Sequence, residues 1–481
     1  MRALSTNQAL EATPNRLKDG SVSFWGALAI SFGNMAPAAS VLFLPQAMAQ
    51  YTGTAVPLAF VFAMIASFFT AVSILHFTRR YASAGAAYTF NSMAFHKVFG
   101  FLSGWMLSLA YGLALPSNLL VFGYFAQGFI AQAFGINVDW MIFSFFALIA
   151  VTVLVIRGIR ASARTDLVLI ILETSVIVLL SIIIIAKGGA AGNTLAVFLP
   201  GESPQSFIGI IFGMLYGVGA FAGFEASATV SEETKDRFRT IPAVIFTTLV
   251  LGGILYVLVS YAISIGYGLN HGKELASATL PMSTLATRFV GKWMALLVDF
   301  AGMTSALGVS LASANASVRV IYSMGRDGVL PSWFSAVHHK YFTPHHAAIV
   351  LSVLSALLLL CLGLVASPYP MGFSYLVAAA DVLGLTLYVS VNLAWMRMWW
   401  KDEQHYKMSW LIGVIPSLLG VIVMGIPLLT TIYPIPAWPL NLVLYLTFIY
   451  IAIGIVLGFV TKKRDSNRLE HVDQALSVKE M

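Results

Sequence analysis

Apolar runs of about twenty residues recur along the chain, and they constrain its fold more than any other feature. The segment 167–186 is one such run, and a helix of this length crosses a hydrocarbon layer about 30 Å thick. Apolar residues make up 59% of the 481 residues and charged residues 10%, against about 45–50% and 25% in soluble proteins. Transmembrane strands would give alternating segments of about ten residues, which this sequence lacks. We therefore predict an all-helical integral membrane protein.

Polar and Gly/Pro-rich breaks divide the sequence into twelve predicted transmembrane spans. The first six are 24–49, 56–78, 101–127, 140–156, 167–186 and 207–230. The second six are 243–266, 293–318, 347–364, 373–395, 410–429 and 437–459. Lys and Arg concentrate in cytoplasmic segments, and this count places 23 of the 27 basic residues inside. We expect a multi-pass protein of the cell membrane with both termini cytoplasmic. Topology accounts for most of the net charge of +7, so no nucleic acid partner is expected.

Side chains with catalytic or metal-binding potential are sparse. The sequence shows no nucleophile–base set, phosphate loop or nucleotide motif, so neither an enzyme nor a cofactor is expected. His338-His339 and His345-His346 fall in a predicted cytoplasmic loop without the ligand spacing of a zinc site. Cys361 is the single cysteine, so no internal disulfide forms.

Two predicted spans contain sequences that are poor continuous helices. These are 31–40, which includes Gly33, Asn34 and Pro37, and 217–225, which includes three glycines. Gly tolerates non-helical dihedral angles and Pro lacks a backbone donor. Lipid cannot satisfy the backbone groups that a break frees, so both segments should line a polar cavity walled by protein. Interrupted spans at corresponding places in two halves indicate the binding site of a transporter.

The polarity of the two breaks indicates what they bind. Pro37 suits the first turn of a half-helix, whose free amides at residues 38–40 would favour a carboxylate. Free carbonyls near residues 219–221 would favour an ammonium, so the two breaks together fit a zwitterion. The alternative reading is that glycines merely allow close helix packing, which we expect for Gly209, Gly213 and Gly217 at their spacing of four.

Several motifs resemble those of the amino acid–polyamine–organocation (APC) permeases. They occur in order along spans 1–10, whereas spans 11 and 12 add only their position. The motifs are Ser83–Tyr88, Gly100–Trp105, Phe221–Lys235 with Arg239–Pro242, and Arg319–Pro331 with Thr343-Pro344. A weak internal repeat accompanies them, since Trp105-Met106-x-x-Leu109 recurs as Trp293-Met294-x-x-Leu297.

The resemblance implies a five-plus-five inverted repeat with discontinuous spans 1 and 6 and two extra C-terminal helices. The expected units are an N-terminal tail (1–23), two repeats (24–186 and 207–395), spans 11–12 (410–460) and a C-terminal tail (461–481). It also implies alternating-access import of a small molecule, an amino acid or related amine. The substrate contacts implied are Gly33, Asn34, Met35, Ala36, Pro37, Ala38, Ala39, Ser40, Gly219, Ala220, Phe221, Ala222, Gly223 and Glu225.

This sequence departs from the family at three positions. Many relatives have an aromatic gate residue where this chain has Gly219, so either another aromatic residue closes the site or the pocket holds a larger side chain. Relatives usually have Pro at the position of Arg237. Some proton-coupled relatives place Lys in span 5, where this chain has Glu173.

Carboxyl groups inside the predicted spans indicate functional residues, because inserting each one at the bilayer centre costs about 2.5–3.5 kcal/mol on insertion scales. They are Glu173, Glu225, Asp299 and Asp381. We predict that Glu173 carries a coupling proton, that Asp381 belongs to an outer gate, and that Glu225 holds the second break by hydrogen bonds. Trp105 is grouped with the first two as a candidate gate residue.

The coupling ion and the substrate both have alternatives. Sodium would use hydroxyls of span 8, at Thr304, Ser305 and Ser310, together with freed carbonyls of span 1. The substrate could instead be a polyamine or another organic cation, and transport could be exchange. A channel or a sensor is disfavoured, because the intramembrane polar groups are sparse and centred on two breaks.

The cytoplasmic end of the predicted bundle carries charges of both signs. We predict that Arg319 and Arg326 pair with Glu232 and Glu233 and form an inner gate.

Overall fold

The computed structural model describes residues 17–401, 410–464 and 477–478, which are mostly helical. The helices of the first half are α1 (Phe24–Asn34), α2 (Pro37–Phe43), α3 (Pro45–Thr52), α4 (Val56–Thr78), α5 (Ala87–Ala94), α6 (Lys97–Phe134), α7 (Trp140–Arg157) and α8 (Ile159–Ala186). Those of the second half are α9 (Ser206–Ala220), α10 (Arg237–Tyr267), α11 (Gly272–Ser277), α12 (Pro281–Phe289), α13 (Lys292–Arg326), α14 (His345–Val365), α15 (Phe373–Lys401), α16 (Trp410–Gly413), α17 (Ile415–Ile432) and α18 (Leu440–Arg464).

Short elements connect these helices. The 3-10 helices are Ala196–Phe198, Pro200–Glu202, Ala226–Glu233, Leu269–His271 and Ser332–Ser335, and a π-helical turn covers Pro368–Gly372. Two short strands, β1 (Tyr81–Ala82) and β2 (Ser477–Val478), pair antiparallel with Tyr81 opposite Val478.

Eleven helical segments in the described residues are long and apolar enough to cross a membrane. The first of them, Phe24–Phe43, combines α1 and α2. The predicted span 207–230 is helical only over α9, which is followed by a turn and the 3-10 helix Ala226–Glu233. The protein is therefore an all-helical, multi-pass membrane protein.

Two predicted boundaries are wrong in a way that affects the site. α8 begins at Ile159, eight residues before the predicted start of its span, so Asp166 lies inside this helix. α13 continues to Arg326, so Arg319 also lies within a helix rather than in a loop. Both side chains are buried by neighbouring helices rather than by lipid, and a hydropathy boundary, which stops at charged residues, misses that.

The helix α1 lies at the centre of the packing, where it contacts α8, α10 and α13. The long helices α6 and α13 pack along each other, α15 and α18 pack against α6, and α17 packs against α15 and α4. α9 packs against α3 and α4 through small residues, as its glycine spacing predicts. A side chain at Gly213 would overlap Thr52, and a Cβ at Gly217 would lie 2.8 Å from the Cβ of Ala63.

Candidate substrate site

The first break separates α1 from α2 within the predicted stretch. α1 ends at Asn34, and Ala36 has left-handed dihedral angles (φ 50°, ψ 62°) before α2 begins at Pro37. Gly33 is not the residue that breaks the helix, contrary to expectation, because it remains helical. Pro37 occupies the first helical position, where its missing N–H costs no hydrogen bond.

The second break follows Ala220, the last residue of α9. Gly223 lies in this break with φ of 88°, a conformation that other L-residues rarely adopt. A Cβ built on Gly223 would lie 2.7 Å from the Cβ of Asn34. The two breaks therefore touch each other, and only glycine allows this approach.

The hydroxyl of Tyr256 on α10 joins the two breaks. It lies 2.9 Å from the carbonyl oxygens of both Met35 and Ala220 and can donate to either. The Ser40 hydroxyl donates a second hydrogen bond to the Met35 carbonyl, at 2.9 Å. The Gly219 carbonyl accepts from the Ala222 amide at 3.1 Å. Protein groups thus already satisfy carbonyls that we expected to be free for an ammonium.

The amides at the start of α2 also have protein neighbours. The Ser40 amide donates to the Ala36 carbonyl at 2.8 Å, and the Ala39 amide donates to the Ser305 hydroxyl of α13 at 3.2 Å. The Ala38 amide faces the carboxyl of Glu173 on α8. The amides that were expected to bind the carboxylate of a substrate therefore face an acidic side chain of the protein itself.

Glu225 stabilises the second break through two tyrosines. Its carboxyl oxygens accept hydrogen bonds from Tyr111 of α6 at 2.6 Å and from Tyr388 of α15 at 2.7 Å. The Tyr388 hydroxyl in turn accepts a hydrogen bond from the Gly223 amide at 2.9 Å. Glu225 thus holds the unwound segment by hydrogen bonds. Sequence reasoning missed both tyrosines, which lie more than 100 residues from Glu225 along the chain.

Open space borders the second break. Gly219 and Ala222 are exposed, and a Cβ built on Gly219 would meet no protein atom within 4 Å. Protein atoms therefore leave room for a side chain at Gly219, the position where the family resemblance implied an aromatic gate. Asp381 on α15 is half-buried and lies seven residues before Tyr388, on the same face of this helix.

Aromatic rings cluster at the C-terminal end of α2. The ring centroid of Phe43 lies 5.4 Å from that of Phe125 on α6 and 5.5 Å from that of Tyr369, which precedes α15. Tyr124 stands 5.5 Å from Tyr369 on the same side. By the predicted topology this cluster lies on the outer side of the breaks.

The predicted ion pairs form at the opposite end. Arg319 donates from Nε to Glu233 at 2.5 Å, and both side chains are 1% exposed. Arg326 pairs with Glu232 at 2.7 Å, at side-chain exposures of 20% and 15%. The 3-10 helix Ala226–Glu233 brings both acids to α13, so the second break and these ion pairs belong to one segment.

Asp327, at the end of α13, belongs to the same group of charges. It accepts a hydrogen bond from the Tyr88 hydroxyl at 2.9 Å and lies 3.5 Å from Arg326. Burial raises the pKa of its carboxyl to about 6, although the neighbouring guanidinium lowers it. Nearby, Arg237 pairs with Asp19 at 2.7 Å and so anchors the segment that precedes α1.

Three predicted site residues have other contacts. Trp105 donates to the carbonyl of Tyr450 at 3.1 Å and stacks on that ring, so it packs α6 against α18. Thr304 and Ser310 donate to carbonyls of their own helix α13. Of the three hydroxyls considered for sodium, Ser305 is the one that reaches the first break.

Comparison with known proteins identifies the family. The family model described as "Amino acid permease" matches residues 22–468. A low-affinity putrescine importer of Escherichia coli is 31% identical over 359 residues, which cover 73% of this chain and 75% of that protein. A branched-chain amino acid permease of Bacillus subtilis is 28% identical, over 64% and 67% of the two chains. A methylthioribose transporter of the same species is 26% identical, over 86% and 87%.

The match covers both breaks, the two Arg–Glu ion pairs and all the helices described above. The match extends over most of the chain, and the relatives named above are transporters. Both findings agree with a small-molecule substrate and with a membrane-embedded chain. This chain belongs to the amino acid permease family of the APC superfamily, and it is a transporter, not an enzyme.

Proposed function

We propose that this protein imports an amino acid or a related amine by alternating access, coupled to protons. The observation that carries the proposal is the contact between two broken helices, held together by Tyr256 and bordered by open space at Gly219. Backbone breaks at membrane depth are tolerated where they line a cavity, and transporters bind solutes at such places. The substrate site proposed comprises residues 33–40, 219–223 and Glu225.

The proposed architecture is a five-plus-five inverted repeat of residues 24–186 and 207–395. Each half begins with a broken span, formed by α1 and α2 in the first half and by α9 and the 3-10 helix in the second. Short helices follow the second span of each half, α5 in one and α11–α12 in the other. Spans 11 and 12 (410–460) complete twelve crossings. Both tails, 1–23 and 461–481, are proposed to be cytoplasmic in the cell membrane, because basic residues concentrate on that side.

Alternating access needs a barrier on each side of the substrate. The buried pair of Arg319 and Glu233, with the pair of Arg326 and Glu232, would form the inner barrier. The aromatic cluster around Tyr369 would form the outer one, with Asp381 below it. Both barriers attach to the broken segments, through Glu233 and Phe43, so substrate binding at the breaks can bias which barrier opens.

Glu173 is the proposed carrier of the coupling proton. It is 1% exposed and faces the Ala38 amide and the Ser305 hydroxyl beside the first break. Proton binding there would change the charge next to the substrate. Sodium coupling is the alternative, and among the hydroxyls considered for it Ser305 is the one that the structure shows in contact with the first break. Glu173→Gln should abolish accumulation driven by a pH gradient while leaving substrate exchange.

A polyamine or another organic cation is the second candidate substrate. The charged side chains that we identify around the breaks are acidic: Glu173, Glu225 and Asp381. The amides expected to hold a carboxylate already face Ser305 and Glu173. A relative at 31% identity is a putrescine importer, which agrees with an amine at this site.

The test combines binding with transport by the full-length protein. The melting temperature of the purified protein is measured with each amino acid and with amines such as putrescine, because a bound ligand stabilises the native state. Uptake of stabilising compounds into proteoliposomes then follows under an inward proton gradient, an inward sodium gradient, or neither. Accumulation with the proton gradient supports the proposal. Accumulation with sodium alone, or only exchange, rejects proton coupling, and ohmic current without saturation rejects a transporter mechanism.

A further inference from the structure

Asp166 on α8 is a buried carboxyl group that the mechanism above does not use. It is 0% exposed, and neither of its oxygens accepts a hydrogen bond from a residue that the structure describes. A side chain at Gly33 of α1 would overlap its Oδ2 atom, and a Cβ at Gly308 of α13 would lie 3.0 Å from Oδ1. Asp166 therefore lies in a slot between three helices that two glycines keep open.

Glu173 lies on the same face of α8. A spacing of seven residues is close to two helical turns and corresponds to a rise of about 10 Å. Its Oε2 atom also lacks a partner among the described residues. The two carboxyls thus form a buried acidic pair along the interfaces of α8 with α1, α2 and α13, beside the first break.

Few other charges face this pair. α1 and α2 contain no titratable side chain. On α10, Tyr256 lies near Glu173. On α13, Asp299 lies beside Ser283 of α12, and Arg319 is paired with Glu233.

The other helices that contact α8 are α7 and α12, and the basic side chains considered on them have other positions or partners. Arg157 lies at the end of α7, and Arg288 of α12 donates to Glu274 and to the carbonyl of Gly266. Two ionised carboxylates without a cation would each cost several kcal/mol at this depth. Each must therefore hold an exchangeable cation, and the smallest is a proton.

Polar groups that are hydrogen-bonded to one another lie between Asp166 and the end of α8 that is predicted to be cytoplasmic. Ser162, one helical turn before Asp166, donates to the Asn315 side-chain oxygen at 3.4 Å. Arg319 donates to the same oxygen at 3.1 Å and is paired with Glu233. The polar seam, formed by Glu173, Asp166, Ser162, Asn315 and Arg319, therefore runs along α8 and α13 from the first break to the inner ion pair.

We propose that Asp166 is a second proton-carrying residue, which receives the transported proton from Glu173 and releases it to the cytoplasm. When the pair of Arg319 and Glu233 opens, water enters the polar seam. The O–H bond of Asp166 breaks first, and its proton passes to water on the inner side. The proton of Glu173 then passes through water to the Asp166 carboxylate, so that Asp166 is protonated again and Glu173 is left ionised until it takes up the next proton. This step rests on the proton coupling proposed above.

The first test measures the proton on Asp166 without any substrate. Infrared difference spectra of the full-length protein in H₂O and D₂O detect the C=O stretch of protonated carboxyls. We expect Asp166→Asn and Glu173→Gln each to remove one band, and the exposed Asp236→Asn to remove none. An unchanged spectrum for Asp166→Asn would show that Asp166 is ionised and would overturn the proposal. Loss of the Asp166 band on adding sodium to the wild type would overturn it too, in favour of a sodium site.

A second variant tests the same point if the Asp166→Asn protein does not fold. Gly308→Ser places a hydroxyl next to Oδ1 and should shift the same band to lower frequency, because a hydrogen bond weakens the C=O bond. An unshifted band in a folded Gly308→Ser protein counts against a protonated Asp166.

The second test measures transport, with putrescine and leucine as probes in proteoliposomes. Cotransport of one proton can raise the ratio of internal to external substrate about tenfold for each unit of the pH gradient. Asp166→Asn should lose about this tenfold while retaining counterflow of the labelled probe, and Asp299→Asn, a membrane carboxyl outside the polar seam, should retain both. Unaltered accumulation by Asp166→Asn rejects the relay. If the wild type accumulates neither probe, its import function is in doubt, whereas the infrared spectra still decide whether Asp166 binds a proton.

Discussion

The Tyr256 hydroxyl lies 2.9 Å from the Met35 carbonyl oxygen, at the point where the first transmembrane helix is interrupted. The same hydroxyl lies 2.9 Å from the Ala220 carbonyl, where α9 ends. One phenol on α10 therefore serves the last carbonyls of two broken helices that are distant in sequence. This arrangement makes the geometry of the two breaks interdependent.

Replacing Tyr256 by Phe should destabilise the protein by about 1–3 kcal/mol, because buried carbonyls would lose a hydrogen-bond donor. The free energy of unfolding, measured by SDS titration in mixed micelles, checks this. Tyr261→Phe on the same helix is the matched control and should change stability by less than about 0.5 kcal/mol. Equal effects of the two substitutions would argue against a special role for Tyr256.

Gly223→Ala should impair folding and transport, because its Cβ would lie 2.7 Å from the Cβ of Asn34 and its φ is 88°. A left-handed conformation alone costs a non-glycine residue about 1–2 kcal/mol. Yield of monodisperse protein and melting temperature are the measurements. Gly425→Ala on α17, where a Cβ meets no atom within 4 Å, is the control. A Gly223→Ala protein as stable as this control would contradict the contact between the breaks.

The ion pairs of Arg319 and Arg326 with Glu233 and Glu232 should differ in their contribution to stability. Glu233→Gln leaves the guanidinium of Arg319, which is 1% exposed, without its carboxylate, and should cost about 3–5 kcal/mol. Glu232→Gln removes one of two carboxylates beside the more exposed Arg326, which keeps Asp327, and should cost about 1 kcal/mol or less. SDS titration of the two variants gives this comparison, and a larger loss for Glu232→Gln would refute the assignment by burial.

Asp327 should make stability depend on pH in a defined direction. Burial raises its pKa to about 6, above the value of about 3.9 for an exposed Asp. Because the folded protein binds this proton more tightly than the unfolded chain, the contribution to stability is full below about pH 4 and is lost as the pH rises through about 6. Relative to Asp327→Asn, the wild type should therefore lose stability over this window, by at most about 3 kcal/mol.

Unfolding free energies of both proteins across the pH range provide the measurement. Asp236→Asn, at an exposed residue of a neighbouring turn, is the control for a lost surface carboxyl. A wild-type advantage that grows with pH would show that the Asp327 carboxyl is stabilised in its ionised form instead.

Local sequence predicted the interruptions well, because Gly and Pro act on their own backbone. The residue that adopts the left-handed conformation in the first break is nevertheless Ala36 and not Gly33. Gly33 is needed for its size, since Asp166 occupies the space of its side chain. Sequence reasoning missed Asp166 because the hydropathy boundary was placed one residue after it. The partners of Glu225, Tyr111 and Tyr388, carry no local signal that distinguishes them from ordinary aromatic residues of a membrane helix.

The sequence by itself determined the helical membrane class, the positions where two helices fail to continue, and the charges that form the two Arg–Glu ion pairs. These properties follow from hydropathy, backbone chemistry and the placement of charges along one dimension. Tertiary structure decided which groups form hydrogen bonds with the backbone at the two breaks and where Trp105 packs. It also decided that Glu173 lies beside the amides that were expected to bind a substrate carboxylate. Such contacts join residues far apart in the chain, and only packing in three dimensions selects the donor that meets each buried acceptor.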